Sequence, residues 1–256
     1  MDTTPQIINT ASTLRSLRAG QTLTVQFGGA LGDDFTAVGA TLNVESGSVG
    51  IGAEVANSEV NVSGGTVGSL FDANSGSTVN ISGGDVGVGF DANSGSTVNI
   101  SGGDVGVVFN ANSGSTVNIS GGGVGFGFNA NSGSTVNISG GTFGNNFQAF
   151  DGSTVNLFGT EFFLNGSLID ASTLGEPFTI FDRGEDVVLS GVFADGTLFD
   201  FDLNSNNPFS SSLDFFDPNS TLTITRVPVA VPEPGCGLTV ATMSLVLLVR
   251  RRRALS

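Results

Sequence analysis

The chain has 256 residues, with 23 acidic and eight basic residues, all eight of them arginine, and a formal net charge of −15. A chain this acidic repels the phosphate backbone, so its composition excludes nucleic acid as a partner. It has no histidine, tryptophan or tyrosine and a single cysteine, Cys236, so it lacks the commonest metal ligand, the usual neutral-pH proton carrier and any internal disulfide.

Residues 1–22 show no clear repeat, and we interpret them as a lead-in or cap for the segment that follows. From residue 23 to residue 158 the sequence repeats with a period of about 19 residues. The phrase STVNISGG appears four times in this segment, beginning at Ser77, Ser96, Ser115 and Ser134. Weaker copies extend the pattern to about eight units. Self-similarity at a fixed period is typical of a solenoid, in which each unit forms one coil.

Each unit shows the two-residue alternation of a β-strand. Val79 and Ile81 share one face, whereas Thr78, Asn80 and Ser82 share the other. Two short strands and their corners use up the whole unit, so there is no room for a crossover helix. The sequence therefore predicts an all-β fold, a parallel β-solenoid whose equivalent residues stack about 4.8 Å apart.

The second half of the unit is predicted to form another short strand. Gly83 and Gly84 would end the first strand at a sharp corner. Val86, Val88 and Phe90 would then alternate with glycines and point their apolar side chains inward.

Stacked identical units predict ladders of identical side chains. An aromatic ladder, interrupted only at Ala53, would contain Phe35, Phe71, Phe90, Phe109, Phe128 and Phe147. An amide ladder would contain Asn61, Asn80, Asn99, Asn118 and Asn137. Stacked asparagines hydrogen-bond along such a ladder, and buried phenylalanines supply core energy. The Asn-Ile-Ser triplets also fit the glycosylation acceptor pattern, but we favour the structural role.

A calcium-stabilised solenoid is one alternative. Phrases such as GGDVGVGFD resemble the Gly/Asp-rich repeats that hold calcium in some parallel β-rolls, but those repeats have nine residues and a fixed aspartate. Here Asp85 and Asp104 give way to threonine or glycine in other units. We therefore predict no metal site and no cofactor, with calcium kept as the alternative.

Carbohydrate is a second alternative, either bound or cleaved. Polysaccharide-active β-helix enzymes need paired carboxylates or a basic residue beside a metal, together with aromatic platforms for the sugar. Outside the C-terminal tail the chain offers only four basic residues, Arg15, Arg18, Arg183 and Arg226. We predict that the protein is not an enzyme. The regular threonine column that includes Thr78 also leaves ice binding open.

Residues 159–228 lose the period but keep the composition of strands. STLTITRV alternates polar and apolar residues, and LSGVFADGTLFDFDLN is typical of two strands joined around Asp195 and Gly196. We interpret this segment as a β-rich cap on the solenoid, with Asn204–Ser220 as an exposed loop.

Residues 229–256 combine three features in a fixed order. Pro232, Glu233 and Pro234 precede an uncharged stretch, Gly235–Val249, and the chain then carries a basic cluster formed by Arg250, Arg251, Arg252 and Arg253. The uncharged stretch predicts a transmembrane helix. This helix would be short, because the stretch has 15 residues and a full span takes about 20. The arginines would hold its C-terminus in the cytoplasm. A buried C-terminal helix is the alternative.

This three-part tail resembles the PEP-CTERM sorting signal of bacterial surface proteins. The resemblance covers about the last 26 residues, and the VNISGG repeats are also similar to planctomycete-type surface proteins that carry this tail. It implies that an exosortase-type membrane protease recognises the chain, that the inner membrane anchors it transiently, and that removal of the helix delivers it to the cell surface or extracellular matrix.

Export normally requires a secretion signal. Met1–Gly20 contains no basic segment followed by an apolar core. Either the true translation start lies upstream of Met1 or export uses another route, and we favour the upstream start. Taken together, the sequence predicts an exported, non-enzymatic structural or adhesin-like repeat protein. Its further partners would be extracellular polysaccharide or other copies of the same chain.

Overall fold

The computed structural model describes residues 4–170, 173–184, 187–204 and 214–228. Within these ranges the regular structure consists of β-strands, with no helix. Most of the strands stack in parallel, coil upon coil, which confirms the predicted all-β parallel solenoid of about eight turns. The predicted transmembrane helix falls in residues 229–256, outside the described residues.

Two sheets run the length of the solenoid, with strands numbered along the chain. The first has 16 strands, of which the central path is β1 (Gln6–Ile8), β3 (Thr22–Val25), β6 (Thr41–Val44), β9 (Glu59–Val67), β11 (Thr78–Val86), β13 (Thr97–Val105), β15 (Thr116–Val124), β17 (Thr135–Phe143), β19 (Thr154–Leu164), β22 (Val188–Phe193) and β23 (Leu198–Asp202). Alongside it lie β4 (Ala30–Leu31), β7 (Ser48–Val49), β20 (Ser167–Leu168), β21 (Pro177–Thr179) and β25 (Thr221–Arg226). The second has nine strands, β2 (Ser16–Leu17), β5 (Thr36–Val38), β8 (Glu54–Ala56), β10 (Asp72–Ala73), β12 (Phe90–Ala92), β14 (Phe109–Ala111), β16 (Phe128–Ala130), β18 (Gln148–Ala149) and β24 (Phe215–Phe216).

Strand pairing keeps identical residues in register. Thr78, Val79 and Asn80 of β11 pair with the same residue types nineteen positions later in β13. The parallel stacking begins at β1, where Gln6 pairs with Leu23, so the stack starts before residue 23.

The first strand of each central coil is longer than the sequence indicated. β11 continues through Gly83 and Gly84 to Val86, with register shifts there against β9 and β13. The prediction that the two glycines end the strand is therefore wrong, because they form a bulge within it. The prediction for Val88 is also wrong, since its side chain is 46 % exposed at a corner and the second strand begins only at Phe90.

The core lies between the two sheets and consists of columns of like residues. Val79, Ile81, Val86, Phe90 and Ala92 are all buried, as are their equivalents in neighbouring coils. The rings of the aromatic column stack at centroid distances between 4.7 and 5.1 Å, over Phe71, Phe90, Phe109, Phe128 and Phe147. Each buried ring removes a large apolar area from water, so this column is a main source of stability.

The second glycine of each repeat allows the coils to approach closely. Gly103 has a φ of +73°, and a Cβ added there would lie 2.5 Å from the carbonyl oxygen of Gly84 in the preceding coil. A side chain is therefore excluded by both backbone conformation and space. The first glycine is confined as well, since a Cβ added at Gly102 would lie 2.5 Å from the carbonyl oxygen of Ser82, so both positions of the pair require glycine.

Beyond Gly159 the chain leaves the stack and later returns to it. β20, β22 and β23 are antiparallel additions to the first sheet, whereas β24 and β25 pair in parallel with β18 and β19. Phe215 and Phe216 of β24 are buried. The prediction of an exposed loop over Asn204–Ser220 is therefore wrong at these residues, which complete another turn of the solenoid.

Candidate functional site

The outer face of the first sheet carries a continuous amide ladder. From Asn61 onward, each asparagine donates from Nδ2 to the Oδ1 of the asparagine one coil earlier, at 2.8–3.0 Å, along Asn43, Asn61, Asn80, Asn99, Asn118, Asn137 and Asn156. Thr223 continues the ladder in the returning coil by donating to Asn156 at 2.7 Å. Because the amides bond to one another, their recurrence has a structural cause.

A corner of the solenoid carries a second amide ladder. Its hydrogen bonds measure 2.9–3.1 Å and join Asn74, Asn93, Asn112 and Asn131. A third ladder runs along the second sheet, where Asn110 donates to Asp91 at 2.6 Å and Asn129 donates to Asn110 at 2.8 Å. Sequence reasoning missed this third ladder, although the nineteen-residue spacing of its members was the signal for it.

Three carboxylates stack at one end of the third ladder. Asp72 pairs in register with Glu54 on one side and with Asp91 on the other. Burial raises the pKa of Asp72, the charges of Asp91 and Glu54 raise it further, and a hydrogen bond with Asn93 lowers it. This column therefore brings three carboxylates of the repeat into one stack.

A second acidic site lies where the repeat meets the following hairpin. A cavity of about 220 Å³ is lined by Asn145, Asp200, Asp202 and Asp214, among others. The carboxylate of Asp214 accepts hydrogen bonds from the backbone N–H of Phe147 at 2.8 Å and of Asp202 at 3.3 Å. Burial nevertheless raises the pKa of Asp214 to about 6. The group therefore ties β18 and β23 together at a cost in desolvation.

Arg183 is a structural cation in the returning part of the chain. Its guanidinium donates to the carbonyl oxygens of Ile180, Asp217 and Ser220, and to the hydroxyl of Ser220. Burial lowers the pKa of this guanidinium, and the charge of Asp217 opposes that effect. All of these donors face acceptors of the chain itself, so Arg183 clamps the segment of β21 onto the turn before β25.

The described residues contain no group of three or more histidine, cysteine, aspartate or glutamate side chains arranged to hold a metal ion. Within that same part of the chain, no helix is long and apolar enough to cross a bilayer. The sorting motif Pro232, Glu233 and Pro234 and the cluster Arg250–Arg253 lie outside the described residues.

Comparisons with protein-family models, with curated proteins and with solved structures find no match to this chain. The site must therefore be interpreted from its own geometry. Its polar side chains are arranged to bond to each other along the axis of the solenoid.

Proposed function

We propose that this chain is a non-enzymatic structural or adhesin-like repeat protein of the cell surface or extracellular matrix. The observation that carries the proposal is the use of the repeated polar residues, whose side chains bond from coil to coil. Asn80, Asn99 and Asn118 each donate one amide hydrogen bond and accept another within the ladder. Residues repeated for this purpose give a stiff acidic rod rather than a reaction centre.

The C-terminal tail supplies the proposed address. The order of Pro232-Glu233-Pro234, an uncharged stretch and an arginine cluster resembles a PEP-CTERM signal. On this proposal an exosortase-type protease acts on the chain at the inner membrane, the helix is removed and the rod is released to the surface or matrix. Extracellular polysaccharide and other copies of the chain are its proposed partners.

Fractionation of the native organism tests this proposal directly. The mature protein is expected in the surface or matrix fraction, with a C-terminal mass that shows loss of Arg250–Arg253. A Glu233→Gln variant should stay in the membrane fraction at its unprocessed mass. Pro228→Ala, which changes a proline just outside the motif, should behave as the natural sequence does. An intact arginine cluster in the mature surface form would contradict proteolytic sorting.

A calcium-stabilised or carbohydrate-binding solenoid is the second candidate. The stack of Glu54, Asp72 and Asp91 favours its calcium form through the repulsion between the carboxylates, although these side chains form no preassembled group of metal ligands. Calcium between stacked carboxylates would offset their mutual repulsion. Calorimetric titration of calcium into the metal-free protein tests this candidate. Heat that is saturable and is lost in Asp72→Asn would support it, whereas the absence of any saturable heat would refute the calcium form.

A further inference from the structure

Six apolar side chains stand exposed along one corner of the solenoid, and we call them the apolar ridge. They are between 39 % and 60 % exposed, and they are Ile51, Leu70, Val88, Val107, Val108 and Phe126. The corner holds two neighbouring columns, which follow from its backbone hydrogen bonds. One column contains Ile51, Ser69, Val88, Val107, Phe126 and Asn145, and the other contains Gly52, Leu70, Gly89, Val108, Gly127 and Asn146.

Two ridge residues occupy strained backbone. Leu70 has a φ of +58° and Val108 has a φ of +60°. In the same column, the coils that follow each of them have glycine, at Gly89 and Gly127. A left-handed conformation is costly for leucine and more so for a β-branched valine, whereas glycine adopts it freely. Leu70 and Val108 thus add conformational strain to exposed apolar surface. Strain of this kind accumulates at sites that do something beyond folding.

The column that contains Val107 and Phe126 lacks side-chain hydrogen bonds that polar residues make elsewhere in the same column. Where Asp33 or Ser69 occupies this column, its side chain accepts the backbone N–H of the next coil, at Ile51 and Val88 respectively. A valine or phenylalanine has no acceptor, so Val107 and Phe126 cannot cap the coil that follows them. In both columns, apolar side chains therefore stand where glycine or a polar residue would make an isolated rod more stable.

The sizes along the ridge complement each other when it is reversed. If a second ridge runs antiparallel, Leu70 faces Gly127 of the other copy and Ser69 faces Phe126. At the centre Val88 faces Val107, and Gly89 faces Val108. Large side chains thus meet small ones over the four central levels, whereas Ile51 faces the polar Asn145 at the edge of the contact. This is the self-complementarity that a two-fold symmetric interface requires.

A parallel arrangement fits less well. It would place Val107 and Val108 of both copies at one level, and would leave only valine and glycine at the next. It would also set the carboxylates of Asp33 and Asp34 directly against the same pair in the other copy. Facing like charges destabilise an interface. The antiparallel arrangement separates Asp33 and Asp34 from the same pair, but carries them to the level beyond Asn145, beside Asp200 and Asp202 of the other copy. The complementarity of sizes, and not charge, therefore favours the antiparallel arrangement.

From this geometry we infer that two copies of the chain associate side by side, antiparallel, through the apolar ridge, about a two-fold axis between the coils of Val88 and Val107. The ridge residues between Leu70 and Gly127 are uncharged, so the contact buries no charge of its own, whereas the exposed Asp85 and Asp104 beside it oppose the association. Six half-exposed side chains bury less area than a stable dimer does, so the association is weak and reversible. The inference does not rest on the proposed function, since it concerns the rod wherever the rod is located.

Disulfide cross-linking of the full chain tests the pairing of opposite levels. In a Cys236→Ser background, the double variant Ser69→Cys/Phe126→Cys should form covalent dimers under mild oxidation, and each single variant should not. Three coils separate the two positions on one rod, roughly 14 Å at strand spacing, so they cannot bridge within a chain. Ser75→Cys/Ser132→Cys is the matched control, because these exposed residues have the same axial spacing at another corner. Equal cross-linking of both pairs, or of neither, would overturn the inference.

A swap of size across the ridge tests the complementarity. Leu70→Gly removes a side chain and relieves strain, and Gly127→Leu adds a side chain where no atom lies closer than 3.8 Å to the added Cβ. Each single change should weaken dimerisation, measured by sedimentation equilibrium, by about tenfold or more. The double change should restore it, since a large side chain would again face a small one across the interface. Thermal unfolding of each variant checks that the solenoid remains folded. A double variant that dimerises no better than the single variants would refute this pairing. If the chains instead associate through their terminal coils or tails, the dimerisation constant would be the same in all three variants as in the natural protein, which would also refute it.

Discussion

The side-chain Nδ2 of Asn99 lies 2.8 Å from the Oδ1 of Asn80 in the coil before it, and Asn118 donates to Asn99 over the same distance. Asn99 is thus both donor and acceptor within one chain of bonds. Identical spacing on both sides shows that the coils stack without slipping. Because each amide orients the next, removal of one member affects two bonds at once.

Asn99→Ala is therefore expected to lower the free energy of unfolding by about 1–3 kcal/mol, for two lost side-chain hydrogen bonds. Asn99→Asp should cost more at neutral pH, because a partly buried charge would replace the donor, and should recover at acid pH as that carboxyl gains a proton. Denaturant unfolding measures both. Ser94→Ala, at an exposed turn of the same coil, is the control and should change stability by less than about 0.5 kcal/mol. An Asn99→Ala protein as stable as this control would mean that the ladder contributes no stability.

The close approach of Gly103 to Gly84 leads to a second prediction. Gly103→Ala should destabilise the protein by about 3 kcal/mol, because the new Cβ would meet a backbone oxygen and the left-handed conformation would be strained. Gly166 has a similar φ of +75° but open space around it. Gly166→Ala should therefore cost only about 1 kcal/mol, the cost of the conformation alone. Thermal unfolding of the two variants separates the steric cost of the added Cβ from the cost of the left-handed conformation. Equal losses of stability in the two variants would contradict the close packing of the coils.

Sequence alone was sufficient for the repeated part of the fold because the period fixes the register. Once Val79 and Ile81 are placed inward, translation by nineteen residues places Val98 and Ile100 as well. Alternation fails at the corners, however. Gly89 has a φ of +76°, which changes the direction of the chain, so Val88 points outward although it shares the parity of Val86 and Phe90.

The non-repeating end was less predictable because its partners are far away in sequence. β24 adds to β18, and Phe215 donates its N–H to the carbonyl of Phe147, a residue 68 positions earlier. Nothing in the local pattern of NPFSSSLDFF indicates that pairing. The carboxylate of Asp214 was overlooked for the same reason, since Phe147 and Asp202 reach it only in the folded chain.

The clamp formed by Arg183 predicts a local rather than a global effect. Arg183→Met keeps much of the apolar stem but leaves the carbonyls of Asp217 and Ser220 without their charged donor. A loss of about 2–4 kcal/mol is expected for this segment. Amide hydrogen exchange should show faster exchange in β25 while β11–β15 remain protected. Arg18→Met, at an exposed arginine near the other end, is the control. Equal protection of β25 in both variants would show that the clamp is dispensable.

The buried carboxyl of Asp214 predicts how stability changes with pH. Its pKa in the folded protein is about 6, above the ordinary aspartate value of 3.8, so the folded state binds this proton more tightly than the unfolded state does. The corresponding stability is fully present below about pH 4 and is lost as the pH rises through about 6, by on the order of 2–3 kcal/mol. Asp214→Asn retains an acceptor for the N–H of Phe147 but carries no charge, so it should be more stable than the natural protein at pH 8.

The difference between the two proteins isolates this group from the other carboxyls. Denaturant unfolding at pH 4, 6 and 8 should show that the free energy of unfolding of Asp214→Asn increases relative to that of the natural protein as the pH rises. Most of this increase should occur above pH 4. Asp151→Asn removes a charge from an exposed turn and should leave the slope unchanged. Both variants make the same change in net charge, so general repulsion in the acidic rod cannot cause a difference between their pH profiles. Parallel pH profiles for the natural protein and Asp214→Asn would show that the carboxylate in this cavity is well solvated, and that the bond to Phe147 stabilises the junction without a desolvation cost.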